Sequence, residues 1–327
     1  MGAGKYIFSR IGNTIRCYAS YALSLTGLVH VRHMPLFLSV EPANICQLKC
    51  PECPVGIRNR DHEAKRNGTP PLLSRELWRH ILAEAKPWVW TIQFYFQGEP
   101  LLHPGLAEMI ADARREGIYT IVSTNAQAMT PGLATQLMQS GLNRIIVSMD
   151  GITQESYSAY RTGGKLSQCL SALAWLREAK QQTGAHCMIE LQCLKLRSNE
   201  HEWKLLRARY KALGADRLSL KSAQLYDYED GHPLMPSQDK DRRYEQDKMG
   251  KWHRKPLPHS ACKRAWQGVV ITTDGDVLPC CYDKEHAHAY GKIGKESLQH
   301  LFHNQKADAF RHKAIAHRHA ICQNCWQ

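Results

Sequence analysis

Three cysteines lie close together near the start of the sequence. They fall within eight residues, in the segment Cys46-Gln-Leu-Lys-Cys50-Pro-Glu-Cys53. A cubane 4Fe–4S cluster has four irons, and each takes a terminal ligand that is normally a cysteine thiolate. Three local thiolates hold three irons and leave the fourth open for a substrate or cofactor. A structural zinc and unrelated buried thiols are the alternatives, although zinc sites usually show a second C-x-x-C pair or histidines.

A second group of five cysteines occupies the last 66 residues: Cys262, Cys280, Cys281, Cys322 and Cys325. A hairpin predicted over 268–278, with Asp274-Gly275 as its turn, brings Cys280 to a point on which the terminal C-x-x-C pair can close. Four thiols from three segments would ligate one cluster fully. Zinc is the main alternative, and disulfides are disfavoured in a chain of this size without a clear export signal. Cys281 stays undecided, because adjacent side chains of an extended segment point in opposite directions.

The remaining cysteines and the C-terminal histidines are given structural roles. Cys17, Cys169, Cys187 and Cys193 fall in helical or strand patterns and are predicted to be small core residues. Seven histidines between His286 and His319 have scattered spacing on a basic segment. We expect these histidines at the surface.

Composition narrows the classes of protein. The chain has 327 residues, 43 Lys and Arg against 30 Asp and Glu, and a net charge of +13. This excess favours anionic partners. A hydrophobic fraction of 43% is enough for a large core. No apolar run reaches about 18 residues, which excludes a polytopic membrane protein.

Residues 1–34 are predicted to form an amphipathic helix packed on the main domain, because apolar residues lie near helical spacing between Ile7 and Leu25. Weak contact with a membrane surface through the basic face is one alternative. Export is another, since basic residues precede an apolar stretch from Ala19 to Val29. Polar residues interrupt that stretch, however, and no small-residue cleavage site follows it.

Six predicted strands alternate with helices from residue 36 onward. The strands are predicted at 36–41, 90–96, 118–123, 144–149, 187–193 and 217–220, and the helices at 74–86, 106–115, 131–139, 167–181, 200–213 and 297–313. Such alternation requires parallel pairing with right-handed crossovers. The fold class is therefore α/β. Residues 35–222 are too few for an eight-unit barrel of about 250 residues, so a partial (β/α)6 barrel fits better.

The predicted domains follow from these elements. They are an N-terminal helical segment (1–34), the α/β core (35–225), a polar, proline-containing linker (226–259) and a small C-terminal hairpin-plus-helix extension (260–327). Ligands of parallel α/β folds bind at the carboxyl ends of the strands. The first cysteine group follows the first strand, and we expect the active site there.

The C-x-x-x-C-x-x-C segment after the first strand resembles the signature of the radical S-adenosylmethionine (SAM) superfamily. Gln97-Gly98-Glu99-Pro100 follows the second strand and resembles the family's Gly-Gly-Glu-Pro motif, with Gln97 replacing the first glycine. Polar residues also follow the third and fourth strands. The resemblance implies cofactor contacts by these residues: Gly98, Glu99, Pro100, Ser123, Asn125, Ser148 and Asp150.

The C-terminal group resembles the auxiliary-cluster extension called SPASM, in its shortened form called twitch. The C-x(9–15)-G-x(4)-C half and the later C-x-x-C are present, and the sequence stops there. The resemblance implies two 4Fe–4S clusters. One is held by Cys46, Cys50 and Cys53 and binds SAM. The other is an auxiliary cluster held by Cys262, Cys280, Cys322 and Cys325.

The resemblance also implies the reaction class. An external one-electron reductant of the flavodoxin or ferredoxin type reduces the SAM-binding cluster, SAM is cleaved to a 5′-deoxyadenosyl radical, and this radical takes a hydrogen atom from the substrate. Lys221 and Arg161 are the candidate catalytic residues, and a structural salt bridge is the alternative for Arg161. The low-potential clusters imply a cytoplasmic location.

Substrate class is the least constrained expectation. We expect an anionic, sugar-like or other small metabolite that is oxidised or epimerised, with the auxiliary cluster as electron carrier. Modification of a ribosomal peptide or protein, by crosslinking, epimerisation or maturation, is the alternative. A non-catalytic zinc or iron–sulfur protein that binds nucleic acid is the alternative of another class. It is disfavoured because the chain lacks a finger-like unit and a basic stripe with interleaved aromatics, so no nucleic-acid partner is expected.

Overall fold

The predicted alternation of strands and helices is present in the structure. The computed structural model describes residues 4–60, 70–256 and 262–325. Parts of the predicted N-terminal segment, linker and extension, namely 1–3, 257–261 and 326–327, lie outside the described residues, as do 61–69.

All six predicted strands of the core are found within two residues of their expected bounds. The strands are β1 (Phe37–Val40), β2 (Thr91–Phe94), β3 (Tyr119–Thr124), β4 (Arg144–Ser148), β5 (Met188–Lys195), β6 (Arg217–Ser222), β7 (Tyr244–Gln246), β8 (Trp252–Arg254), β9 (Gly268–Ile271), β10 (Asp276–Leu278) and β11 (Gly291–Lys292). The α/β fold class is confirmed.

The helices follow the predicted order. They are α1 (Ile7–Ser24), α2 (Pro54–Arg60), α3 (Arg75–Ala85), α4 (Leu106–Arg115), α5 (Pro131–Gln139), α6 (Gln154–Ser158), α7 (Leu166–Thr183), α8 (Trp203–Arg209), α9 (Arg264–Gln267), α10 (Leu298–His303) and α11 (Gln305–Ala314). The helix predicted over 200–213 is shorter, because a 3-10 turn occupies Arg197–Glu202 before α8 begins.

The chain forms two compact units, and the boundary between them falls inside β3. The first unit contains residues up to Ile45, 68–121 and 257 onward. Its central strand is β1, which pairs in parallel with β2 on one side and with β9 on the other. The predicted hairpin is present as β9 and β10, and Gly275 supplies the positive φ of 87° in its turn.

The second unit contains residues 46–67 and 122–256. Strands β4, β5 and β6 pair in parallel, and α5 packs against α7. The segment predicted as a linker contributes to this unit, since β7 and β8 form an antiparallel pair. Tyr244 is buried there, and its hydroxyl accepts a hydrogen bond from the Leu225 amide (2.8 Å).

Helix α1 packs through its polar and small side chains. Arg10, Asn13 and Cys17 are buried, whereas the apolar residues at helical spacing face outward. The expectation that the apolar face packs on the domain is therefore wrong. Periodicity identifies two faces of a helix but does not say which of them has partners.

The guanidinium of Arg10 fixes this orientation. It donates to the carbonyl oxygens of Gly117 (2.9 Å), Glu116 (2.8 Å) and Lys86 (2.8 Å). These carbonyls lie at the carboxyl ends of α3 and α4, where a cation is favoured by the helix dipole.

We predict that Arg10→Met lowers the free energy of unfolding by about 2–4 kcal/mol, because three half-buried carbonyls lose a charged donor. Arg16→Met is the control on the exposed side of the same helix and should change stability by about 0.5 kcal/mol or less. Urea unfolding followed by circular dichroism measures both. Equal effects of the two substitutions would contradict the capping role.

Candidate functional site

The first cysteine group lies on a loop of the second unit that folds back on α2, the helix directly after Cys53. Asn59 in α2 donates from Nδ2 to the carbonyl oxygens of Cys46 (2.7 Å) and Leu48 (2.9 Å). Gly56 allows the close approach, because a Cβ there would lie 2.3 Å from the carbonyl oxygen of Cys50. The helix thus serves as a template for the loop.

Apolar side chains surround the same loop. Cys50 is buried in a cluster with Leu48, Tyr160, Leu225 and Tyr244, and Cys46 and Cys53 pack against it. Burial raises the pKa of the Cys50 thiol, although nearby Arg161 partly offsets this. Cys50 is therefore shielded from water, whereas Cys46 and Cys53 are partly exposed.

A buried ion pair faces Cys50. Arg161 Nε donates to Asp150 Oδ2 (2.6 Å), and the other carboxylate oxygen accepts from the Leu194 amide (2.6 Å). Burial lowers the pKa of Arg161, but Asp150 and Cys50 outweigh it and hold the pKa well above its usual range. Arg161 is thus a cation beside the cysteine loop. Its ion pair with Asp150 is the structural salt bridge that the sequence suggested as the alternative role of this residue.

Asn125 follows β3 and contacts a cysteine of the first group. It is buried, and its Nδ2 donates to Cys46 Sγ (3.3 Å) while its Oδ1 accepts from the Gln127 amide (2.9 Å). Ser123 is half-buried in β3, and Ser148 is buried at the end of β4.

Lys221 is exposed on β6, opposite Leu194 in the register. In the described part of the chain it makes no hydrogen bond or ion pair with the cysteine loop.

The segment 226–256 contributes contacts that the sequence did not reveal. Glu52, which lies within the cysteine motif, accepts from the Tyr226 amide (2.5 Å) and pairs with His232 (3.3 Å). The segment 226–256 therefore holds the cysteine loop in addition to α2. The sequence did not indicate these contacts, because the composition of the segment is that of a polar linker.

In the first unit, the Gln97-Gly98-Glu99-Pro100 loop lies against the chain just after β1. A Cβ on Gly98 would lie 2.0 Å from the Ala43 carbonyl oxygen, so only glycine fits. The Glu99 amide donates to the Ile45 carbonyl (2.8 Å), and its buried side chain accepts from the Leu101 amide (3.1 Å). Pro100 begins the 3-10 turn that follows.

Glu41 supports this loop and was not identified from the sequence. It is buried, and its carboxylate accepts from the Gln97 amide (3.3 Å). The amides of Thr273 and Gly98 also donate to it. Burial raises the pKa of Glu41 to about 7, against the opposing effect of these amides. The Gln97 side chain donates to the Lys284 carbonyl (2.7 Å), which gives the residue replacing the motif's first glycine a structural role.

The second cysteine group converges on one pocket, also in the first unit. Cys262, Cys280, Cys322 and Cys325 line it together with the apolar residues Ala265, Phe310, Ala314 and Ile321. Cys281 does not line it. His317 also lines the pocket, and His319 is buried and stacked on Phe310 (4.1 Å between ring centroids), so these two histidines depart from the expected surface positions.

Arg264 lines the same pocket and is its cation. Burial lowers its pKa, but the thiols of Cys281 and Cys280 outweigh this and raise it. Burial also raises the pKa of the Cys280 thiol. Arg264 is thus a positive charge beside several thiols, which suits a site that binds an anionic group.

The cysteine groups can be compared with the geometry that a single zinc ion requires. Tetrahedral zinc with Zn–S bonds of about 2.3 Å needs sulfurs about 3.8 Å apart. Among the described residues, the only three cysteine, histidine or carboxylate ligand atoms mutually within 4.8 Å belong to Asp274, Asp276 and His286, which Lys292 already neutralises in part. Neither cysteine group therefore presents three sulfurs at this spacing among the described residues. None of the described cysteines forms a disulfide, so the disulfide alternative is not supported.

Comparison with known families agrees with this chemistry. Residues 40–191 match the Radical SAM superfamily, and residues 262–326 match SPASM, an iron-sulfur cluster-binding domain. The chain belongs to the radical SAM superfamily. It is therefore an enzyme with the domains that bind SAM and 4Fe–4S clusters, one of them auxiliary. The non-catalytic nucleic-acid-binding alternative does not fit this family.

Curated relatives of this radical SAM enzyme include peptide cyclases. The PqqA peptide cyclase of Rhodopseudomonas palustris is 28% identical over 197 residues, which are 59% of this chain and 48% of that protein. The one from Xanthomonas campestris pv. campestris is 24% identical over 319 residues, 89% of this chain and 79% of that protein. The chain thus matches about half of the length of the first relative and most of the second.

Solved structures share the fold. BtrN in complex with AdoMet and 2-DOIA is 19% identical, with a TM-score of 0.54 over 90% of this chain and 94% of that one. Native anSMEcpe with bound AdoMet is 17% identical, with a TM-score of 0.65 over 89% and 86%. Streptococcus suis SuiB bound to S-adenosylmethionine is 16% identical, with a TM-score of 0.64 over 85% and 68%. The radical SAM type of α/β fold is confirmed.

We predict that Gly56→Ala displaces the cysteine loop, because the new Cβ would overlap the Cys50 main chain. Iron per reconstituted chain should fall from about eight to about four as the first cluster is lost. Gly132→Ala is the control, since nothing lies within 4 Å of a Cβ there and α5 should gain up to about 1 kcal/mol. Retention of all iron in Gly56→Ala would contradict the template role of α2.

We predict that Glu41 makes stability pH-dependent. A carboxyl whose pKa is raised from about 4.3 to about 7 stabilises the fold at low pH, and this contribution is lost as the pH rises through 7. The loss between pH 5 and 8 should be about 2–3 kcal/mol. Urea unfolding of wild type and Glu41→Gln at both pH values measures it. The variant should lose less stability than wild type, and equal losses would refute the assignment.

Proposed function

We propose that this enzyme modifies a peptide by radical chemistry, in an oxidation that forms a crosslink. The observation that carries the proposal is the likeness to PqqA peptide cyclases, one of which matches over 89% of this chain. The sugar-like small metabolite expected from the sequence has weaker support, because the likeness to BtrN concerns the fold alone.

The three cysteines of the loop are the proposed ligands of the first cluster. When bound, the SAM-binding cluster and SAM supply the 5′-deoxyadenosyl radical that takes a hydrogen atom from the substrate. Cys46, Cys50 and Cys53 act as ligands, and Asn125 orients Cys46 by its hydrogen bond to the sulfur. Arg161 offsets the negative charge at Cys50. The apolar cluster around Cys50 shields this thiol from water.

The residues predicted to contact the cofactor have different surroundings in the structure. Gly98, Glu99 and Pro100 present a rigid loop held by Glu41, and we keep these residues with Ser123 and Ser148 as SAM contacts. Asp150 is engaged by Arg161 and Leu194. We therefore assign Asp150 and Arg161 to positioning. Lys221 remains a proposed substrate-facing residue.

The second site is proposed to accept an electron. Cys262, Cys280, Cys322 and Cys325 provide a ligand for every iron of one cubane, which leaves no iron open for substrate. Crosslinking removes two hydrogens from the peptide. One would leave as a hydrogen atom to the radical derived from SAM, and the other would leave as a proton to solvent and an electron to a cluster held by these four cysteines.

A cationic groove of the second unit suits an acidic peptide. Four cations line its cavity of about 950 Å³, namely Lys195, Lys204, Arg207 and Lys240, with Trp203 as an apolar surface. Glu200 and Asp241 also line it, and Asp241 pairs with Lys195 (2.6 Å), so the lining keeps a net positive charge. Lys195 directly follows Leu194, which contacts Asp150. We propose that acidic side chains of the substrate bind here, that a flavodoxin or ferredoxin supplies the electron, and that the reaction takes place in the cytoplasm.

Cysteine substitutions separate the two clusters. With SAM and dithionite under anaerobic conditions, Cys50→Ala should form at least about 100-fold less 5′-deoxyadenosine than wild type, because one iron loses its thiolate. Cys322→Ala/Cys325→Ala should retain SAM cleavage, contain about four fewer irons and yield no crosslinked peptide. Cys281→Ala is the matched control and should behave as wild type. Unchanged product from the double variant would refute the electron-acceptor role.

The substrate class is tested with a peptide encoded beside the gene. Mass spectrometry should show loss of two hydrogens after a turnover with SAM and dithionite. A peptide mass that is unchanged after turnover in H2O, but that rises by one deuterium after turnover in D2O, would indicate epimerisation instead. Stimulation of SAM cleavage by amino sugars, with no change in any peptide, would overturn the peptide proposal.

A further inference from the structure

Helix α1 presents a continuous apolar stripe to solvent. Phe8 is 86% exposed and Ile15 is 65% exposed. The other exposed members at helical spacing are Ile7, Ile11, Tyr18 and Leu25. Scattered exposed hydrophobic residues are ordinary, but a contiguous stripe of this size marks an interaction site.

The rest of the first unit holds the stripe outward. Asn13 and Met34 exchange two hydrogen bonds through the Asn13 amide group (2.8 and 2.9 Å), and the Cys17 thiol is buried against the Trp266 carbonyl. Together with the contacts of Arg10, these interactions fix the rotation of the helix. The stripe cannot turn inward without leaving buried polar groups unpaired.

The charge of this region is entirely basic. Residues 1–34 contain no aspartate or glutamate. Lys5 and Arg16 are exposed along one flank of the stripe, and exposed Arg32 follows the helix. An apolar stripe with a cationic border is the pattern of a helix that lies in the headgroup region of an anionic bilayer.

A basic pocket begins at the same helix. Arg16, Arg32, His300 and His303 line its volume of about 660 Å³, and no carboxylate lines it among the described residues. His33, which is 2% exposed, also lines it, and its Nε2 atom has no hydrogen-bond partner in the described chain. Its Nδ1 lies 3.0 Å from the Met34 carbonyl. Burial lowers the pKa of His33 to about 4, so Nε2 is an acceptor for a hydroxyl.

We propose that α1 docks the enzyme on an anionic lipid bilayer. The apolar stripe inserts between the headgroups, Arg16 and Arg32 bind a headgroup phosphate, and His33 accepts from a headgroup hydroxyl such as that of phosphatidylglycerol. The charge favours a bilayer over a second copy of the chain, since pairing two copies through the stripe brings like charges together. No helix in the described part of the chain is long and apolar enough to cross a membrane.

Flotation of the full-length holoenzyme with vesicles tests the proposal. Binding should be strong on vesicles that contain phosphatidylglycerol, weak on phosphatidylcholine alone, and reduced at high salt. Phe8→Ser/Ile15→Ser should lower vesicle binding by about tenfold or more. Met249→Ser, which removes an 85% exposed hydrophobic residue from the second unit, is the matched control and should bind as wild type.

A second double variant tests the phosphate contacts. Arg16→Gln/Arg32→Gln should lose most of the preference for phosphatidylglycerol while keeping the helix content and the SAM cleavage of wild type. Failure of wild type to bind either vesicle would overturn the proposal, whatever the outcome of the peptide assay. So would a lipid-free dimer that Phe8→Ser/Ile15→Ser dissociates, because the stripe would then be an interface between copies.

Discussion

The ion pair between Asp150 and Arg161 is the interaction on which the second unit's site depends. It joins the end of β4, the loop after α6 and, through the Leu194 amide, the end of β5. Asn199 adds a hydrogen bond to the Asp150 carbonyl (2.9 Å). A buried pair of this kind is not retained for its net stability, because desolvation consumes most of the Coulombic gain. Here it also places a permanent positive charge against Cys50.

The two cysteine groups are built on different principles. The first is a contiguous loop whose shape comes from α2, Gly56 and Asn59, so its three sulfurs are fixed locally. The second is assembled from three distant segments on the framework of β9, β10 and the C-terminal turn. Each contains one arginine among its sulfurs, Arg161 in one and Arg264 in the other. The number of thiols, three against four, decides which cluster can bind a further ligand.

The sequence was sufficient where the signal is local. Six strands and the hairpin were predicted because their apolar runs end at turn residues, and the cysteine motif could be assigned because its spacing is short. The orientation of α1 could not be predicted, because the residues that contact its inward face, Gly117 and Trp266, are distant in sequence. The roles of Glu41, His232 and Tyr244 were also missed, since buried polar contacts leave no periodic pattern. The ligand assignments themselves remain predictions.

The position of β1 between β2 and β9 has a consequence for biosynthesis. Phe37 pairs with Thr91 on one side and with Gly268 on the other, so this sheet cannot be completed until nearly the whole chain has left the ribosome. The second unit ends at residue 256. Strand β9 ends 15 residues later, at Ile271. At about 5–20 residues per second, about 1–3 seconds separate the two events. The loop with Cys46, Cys50 and Cys53 can therefore fold, and present its thiols to iron–sulfur assembly, while the nascent first unit still lacks its partner strand.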